Sequence, residues 1–401
     1  MSVLSGSFRV VLLTSDRASD AAALTDAILR QVSSSGGTLA SFDVTQDPSV
    51  IAASPKPGDP STALVLLSCS PSAASDPKVI QAISDAFHQF VAVLPVYDSA
   101  RGSFNQQFPP ALNRLNGVDW PVGSSPEKIA GTILRLVGLA EKDRRVFLSY
   151  RRKDGTEMAE QLRIAMLNAG WDVFLDRFGV APGADFQKSL ERELADKAFV
   201  LLLETPDVAA SRWIEHEVAF ALQRRLALMA LTTPDTLAAT MHRSIPSAFR
   251  RQLLWSEVNH SSVCLEIGLP ALNAVLQEID ERHAYSYNFR RVGLMEETSE
   301  ELTNLGFRVE PIGQWSLLAE HRTTGNLEIV LTTVRAPDPQ DIRAVDTLRR
   351  RCRNSRFRSR GWIVHPIEDI DEDRASLVAW LCGRRLIEPT PLMLLAKQVQ
   401  T

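Results

Sequence analysis

Cysteine is scarce in this chain of 401 residues: there are four, at positions 69, 264, 352 and 382. None forms a CxxC pair and none has a histidine at metal-ligand spacing. A disulfide frame and a zinc site are therefore excluded, and reduced thiols of a cytoplasmic protein are expected. Long apolar runs are also missing. No stretch reaches the roughly 18 residues a membrane span needs, so no membrane partner is expected. Residues Met1–Ser7 lack a basic segment leading into an apolar one, so no secretory leader is expected. An excess of one charge is missing too. The net charge is -4, too little to draw the whole chain onto nucleic acid or membrane.

What is present is the composition of a globular protein, 45% apolar and 23% charged. The length suggests two or three domains. Residues 8–139 alternate short apolar runs with helical patterns. Phe8–Leu13, Thr38–Val44, Ala63–Leu67 and Val91–Val96 read as strands. Ala21–Val32, Val79–Phe90 and Ser125–Ala140 read as helices. The same order recurs from Arg144 to about Ala284. Its strands are Val146–Leu148, Gly170–Leu175, Ala198–Leu203 and Leu226–Leu231. Its helices are Thr156–Ala169, Asp185–Lys197, Trp213–Arg225 and Leu269–Arg282. Alternation of this kind predicts an α/β fold: two tandem flavodoxin-like, doubly wound parallel sheets. Ser75 falls on Ser211, Val91 on Ala227 and Pro110 on Pro246 at one offset of about 136 positions, which suggests an internal duplication. From about residue 287 the pattern changes. A helix over Val292–Leu305, short strands and a helix over Asp341–Arg353 predict a third, smaller α/β unit. The expected domains are 1–140, 141–285 and 286–401.

The middle unit carries a constellation of motifs. Phe147-Leu148-Ser149-Tyr150 is followed by Arg151 and Asp154. Val173-Phe174-Leu175-Asp176 leads to Pro182-Gly183-Ala184-Asp185-Phe186. Ser211-x-Trp213-x-x-x-Glu217 closes the series. Trp213 and Glu217 are four apart and share a helix face. In a flavodoxin-like sheet the ligand crevice lies at the carboxyl ends of the strands, between the first and the third. A carboxylate, an aromatic ring and a cation would then surround one crevice. A Trp–Glu pair at this spacing is, by itself, usually one packing residue and one solvated charge. The arginines after Tyr150 are ordinarily a solvated loop.

In order and over about 140 residues, these motifs jointly resemble the TIR (Toll/interleukin-1 receptor) family, in particular its bacterial, NAD-cleaving members. The resemblance implies an NAD glycohydrolase with Glu217 as the catalytic carboxylate and NAD as a substrate, with no cofactor or metal. It implies substrate contacts from Ser149, Tyr150, Arg151, Phe178 and Trp213. It also implies an assembly loop around Asp176, Pro182, Gly183, Asp185 and Phe186 that joins TIR domains into a homo-oligomer. The role that follows is an antiphage-defence effector, switched on by assembly or by ligand sensing in the flanking units. The alternative is a non-catalytic TIR scaffold that recruits other TIR proteins, or a nucleic-acid or nucleotide sensor. At the offset of 136, Gln81 stands where Glu217 stands, Pro77 replaces Trp213 and Asp16 replaces Arg151. The first unit is therefore expected to be a degenerate, non-catalytic TIR-like copy.

The third unit faintly resembles the restriction-endonuclease-like (Mrr-type) fold. Thr332-Thr333-Val334-Arg335 occupies the place of that family's Glu/Gln-x-Lys signature, and Gly313–Glu320 contains no aspartate, so an inactive unit is expected. Eight arginines lie between Arg343 and Arg360. Arg349, Arg350, Arg351, Arg353, Arg356 and Arg358 are candidates for binding nucleic acid, a cyclic nucleotide or another phosphate. A charged face paired with the acids at 368–373 is the plainer reading.

Overall fold

The computed structural model describes residues 8–34, 42–51, 60–113, 115, 117–139, 143–175, 193–194, 196–208, 211–224, 226–260, 265–313, 315–352, 359–367, 372–382 and 387–399. Three five-stranded sheets organise them. The first contains β1 (Phe8–Thr14), β2 (Phe42–Thr45), β3 (Ser61–Leu67), β4 (Ala92–Tyr97) and β5 (Val118–Asp119) in the order β2-β1-β3-β4-β5, all parallel. The second contains β6 (Arg145–Tyr150), β7 (Asp172–Leu175), β8 (Phe199–Glu204), β9 (Ala227–Thr232) and β10 (Arg250–Gln252) in the order β7-β6-β8-β9-β10, again all parallel. Both are flavodoxin-like. Their central strands are continuous apolar runs because helices cover both faces.

The two sheets agree in register as well as order. Val44, Val10, Ala63 and Ala92 form one row across the first. Val173, Val146, Phe199 and Ala227 form the matching row across the second. The helices α1 (Ala18–Ser34), α2 (Pro77–His88) and α3 (Glu127–Leu136) cover the first sheet, and α4 (Thr156–Asn168) and α5 (Arg212–Gln223) cover the second. Asp76 caps α2 through its side chain and Ser211 caps α5, so the two helices begin at matching places.

One expectation fails. In place of two helices, Leu269–Arg282 and Val292–Leu305, a single helix α6 runs from Leu269 to Asn304, 36 residues. Residues 283–291 contain no Pro or Gly, so nothing stops the helix. Their apolar periodicity is broken because His283, Ser286 and Tyr287 are buried in its place. α6 crosses the expected boundary at residue 285. Its first half packs Ala271, Val275 and Ile279 into the core of the second sheet. Its second half packs Val292, Met295 and Leu302 into a core shared by the first and third sheets.

The third sheet holds β13 (Phe307–Gly313), β14 (Ser316–His321), β15 (Leu327–Thr332), β16 (Ser359–His365) and β17 (Ile387–Pro391); β11 (Val258–His260) and β12 (Leu265–Ile267) form a separate ribbon. β13–β15 are antiparallel, while β15–β17 are parallel. The helices α7 (Pro339–Cys352) and α8 (Glu372–Cys382) accompany them. A buried ionic group ties this unit to the middle one. Arg335 meets Asp143 at 3.3 Å and Asp341 at 2.9 Å. Arg374 meets Asp196 at 2.9 Å, and the Ala336 amide donates to the same carboxylate. Among the described residues no helix is long and apolar enough to cross a membrane.

Candidate active site

β6 and β8 are neighbours that sit at the reversal of strand order, so their carboxyl ends open the crevice. Ser149 and Tyr150 end β6, and Glu204 ends β8. α5 begins eight residues after β8 and brings Trp213 and Glu217 alongside. Glu217 is buried, 4% exposed, and Trp213 is 53% exposed. The Ser149 hydroxyl, itself buried, donates a hydrogen bond to Glu217 Oε2. Thus a carboxylate on a helix and a hydroxyl on the central strand are in contact across 68 positions of sequence. Tyr150 is buried next to Ser149.

Arg151 lies at the mouth. It holds Asp207 at 2.8 Å and Asp154 at 3.4 Å. The bond to Asp207 raises its already high pKa. Both acids are solvated enough that these pairs are weak and exchangeable. Phe178 and the loop residues Asp176, Pro182, Gly183, Asp185 and Phe186 lie outside the described residues. The same is true of Arg353, Arg356, Arg358 and the side chain of Arg351. Of the remaining arginines, Arg349 and Arg350 both meet Asp346, and Arg349 also donates to the Ser359 carbonyl. The basic stretch is thus partly neutralised by its own helix.

A second carboxylate stands beside the crevice. Glu204 is fully buried. It accepts from Thr232 Oγ1 at 2.7 Å, from Arg250 Nε at 2.9 Å and from the His242 amide at 3.0 Å. Burial lowers the pKa of His242, while Glu204 and Glu215 pull it the other way. The only sequence signal for this group is a carboxylate ending an apolar strand, Phe199–Glu204. Glu204 meets all its partners inside the fold, so it braces the loops after β9 and leaves Glu217 as the carboxylate with a solvent-facing aromatic neighbour. Among the described residues no group of His, Cys, Asp and Glu has the arrangement of a metal site.

The comparison with the first unit needs correction. β1 and β3 match β6 and β8 at an offset of 136, but α2 and β4 match α5 and β9 at 135, because one more residue lies between Leu67 and α2 than between its counterpart Leu203 and α5. Glu217 therefore corresponds to Ala82, which is buried, and not to Gln81, which is exposed and bonded to Asp85. Trp213 corresponds to Lys78 in place of Pro77. Arg151 corresponds to Ser15 in place of Asp16, and Ser149 to Leu13.

Residues 146–258 match the family model described as TIR domain, and the middle sheet is accordingly that of a TIR domain. Among solved structures the chain is similar to the TIR domains of the activated Roq1 resistosome directly recognizing the pathogen effector XopQ. The identity is 18%, over 36% of this chain and 82% of that one, with a TM-score of 0.23. No curated protein matches the chain.

Proposed function

We propose that the TIR domain hydrolyses the nicotinamide–ribose bond of NAD, with Glu217 as the catalytic carboxylate. The observation that supports this reading most directly is a buried Glu217, bonded to Ser149, one helical turn from the exposed ring of Trp213. The bond breaks through an oxocarbenium-like transition state. Nicotinamide leaves a pyridinium and departs neutral, so no acid is needed to protonate it. One carboxylate suffices to stabilise positive charge on the ribose. Water then adds at the anomeric carbon and its proton is released, giving ADP-ribose. Ser149 fixes the Glu217 side chain. Trp213 or Phe178 serves for stacking, and Arg151 can exchange Asp207 for a diphosphate oxygen.

Assembly through the loop around Pro182 and Gly183, control by the flanking units and an antiphage role belong to the same proposal. So do a cytoplasmic location and the division into units at residues 140 and 285. The third unit is proposed to be inactive as a nuclease: Arg335, in the place of the signature lysine, is consumed by Asp143, Asp338 and Asp341.

The test is release of nicotinamide from NAD by the full chain under assembling conditions. Glu217→Ala should lower the rate by about 100-fold or more. Undiminished release by that variant would overturn the assignment. The rival is a TIR scaffold, favoured by the burial of Glu217, which a purely structural carboxylate would share. It predicts no release by either protein and unchanged recruitment of TIR partners by the variant.

A further inference from the structure

A cavity of about 260 Å³ lies at the amino ends of β1, β3 and β4, between the first sheet, α6 and the β13–β14 turn. Doubly wound sheets bind ligands at the opposite, carboxyl ends, so this is not the fold's usual crevice. Two features of its wall require explanation. Phe90 (φ 52°) and Trp315 (φ 60°) are the non-glycine residues with left-handed backbone among those described, and both line this cavity. Bulky residues are poorly suited to that region. Phe90 follows α2 where helices favour glycine, with the Val91 amide closing onto Ala86. Trp315 sits in the turn between β13 and β14, its carbonyl held by the Thr332 amide at 2.9 Å. Glycine would serve both turns with less strain. It would not supply a ring, and strain of this kind collects at binding sites.

The second feature is polar. Trp315 is 4% exposed, and its Nε1 has no hydrogen-bond partner among the described residues. Arg291 stacks over the same ring at 4.2 Å, which fixes the indole. The wall also carries Arg9, Gln89 and Asn288. Arg9 is held by Asp43 at 3.1 Å in a pair whose acid is half exposed, so an anion can compete for it. Carboxamides both donate and accept, which suits the edge of a nucleobase. Asn288 lies one turn before Val292 on α6, so a ligand here touches the helix that also fills the core of the TIR domain.

We propose that this cavity binds a nucleobase-bearing monophosphate. The base lies against Phe90 and Trp315, its edge is read by Gln89 and Asn288, and its phosphate meets Arg9. The site is separate from Glu217, and the assignment of NAD cleavage stands or falls without it.

The test is calorimetric titration of the full chain with adenosine monophosphate, with adenosine and inorganic phosphate as the other ligands. The monophosphate should bind about tenfold or more tightly than either fragment, as a charge-assisted phosphate contact requires. Arg9→Ala should bring it down to the level of adenosine. Asn288→Leu should weaken monophosphate and adenosine alike. The double variant Trp213→Ala with Glu217→Gln should leave the affinity unchanged. If Arg9→Ala fails to fold, Gln89→Ala, a change at the half-buried residue that follows α2, should weaken both base-bearing ligands. No binding of the monophosphate would overturn the proposal. So would binding that is lost in the Trp213/Glu217 double variant but kept in Arg9→Ala and Asn288→Leu.

Discussion

The first and second sheets are the same frame with different side chains at one end. Strand order and register agree row by row. At the carboxyl ends, Ser149, Glu204 and Glu217 of the second unit face Leu13, Ser68 and Ala82 of the first. The first unit fills its crevice from within. Asp16 accepts from the Cys69 amide at 3.2 Å and from the Ser70 hydroxyl at 2.5 Å, and Ser68 bonds the Ser70 carbonyl at 2.9 Å. In the second unit Glu204 braces the loops, and Glu217 lies beneath an exposed tryptophan. The difference teaches that the sheet supplies the crevice, while three side chains decide whether it closes on itself or carries a carboxylate.

The sharpest way to break this comparison is to write the carboxylate into the first unit. Ala82 is buried in an apolar core with Val79, Ile83 and Leu66, and its counterpart of Ser149 is Leu13, which has no donor. Ala82→Glu should cost about 3–5 kcal/mol, because the new charge is buried and unpaired. Urea unfolding followed by tryptophan fluorescence measures it. If the variant is as stable as the parent, Ala82 is not the counterpart of Glu217 and the register drawn above is wrong.

Much of this frame is legible in the sequence, and the reasons are physical. Central parallel strands are buried on both faces, so Ala63–Leu67 and Phe199–Leu203 stand out as apolar runs. Glu217 stands out only through the resemblance that the whole motif series carries, since a Trp–Glu pair one turn apart is by itself one packing residue and one solvated charge. The register between units is less legible: a constant offset cannot see that one connection is a residue longer, and Gln81 was the residue it selected. The continuity of α6 is hidden because His283, Ser286 and Tyr287 bury polar atoms where periodicity looks for apolar ones. The bond between Glu204 and Arg250 spans 46 positions, and nothing local announces it.

A smaller effect tests the contact that the first unit lacks. Ser149→Ala removes the donor to Glu217 and leaves a buried carboxylate short of a partner. Stability should fall by about 1–3 kcal/mol. Nicotinamide release should fall by roughly tenfold, since Glu217 is then less well positioned. Ser149→Thr, which keeps the hydroxyl, should restore part of the rate. A rate unaffected by Ser149→Ala would mean that this bond does not position the carboxylate.

The smallest effect concerns the other end of the sheets, where the same two positions again differ. In the first unit Phe8 and Phe42 stack with ring centroids 6.5 Å apart. At the matching positions of the second, the Arg144 guanidinium lies 4.8 Å over the Trp171 ring, meets Asp280 at 2.6 Å, and has His283 packed edge-on to the same tryptophan. The first pair is indifferent to pH and the second is not. Burial pushes His283 down to about 4, and Asp280 up to about 6 against the pull of Arg144. The depressed histidine binds fewer protons in the folded chain, so its contribution is present above pH 6.5 and is lost as pH falls towards 4. The raised carboxyl binds more, so its contribution is present below its ordinary value of 3.8 and is lost as pH rises through 6. The two oppose each other over one window, and their joint effect should be only about 1 kcal/mol. Asp280→Asn removes the opposing member. Urea midpoints of that variant should fall more steeply than those of the parent between pH 6.5 and 4. Parallel pH profiles would show that Asp280 stays ionised in the fold, and the contrast with the Phe8–Phe42 pair would then be one of shape alone.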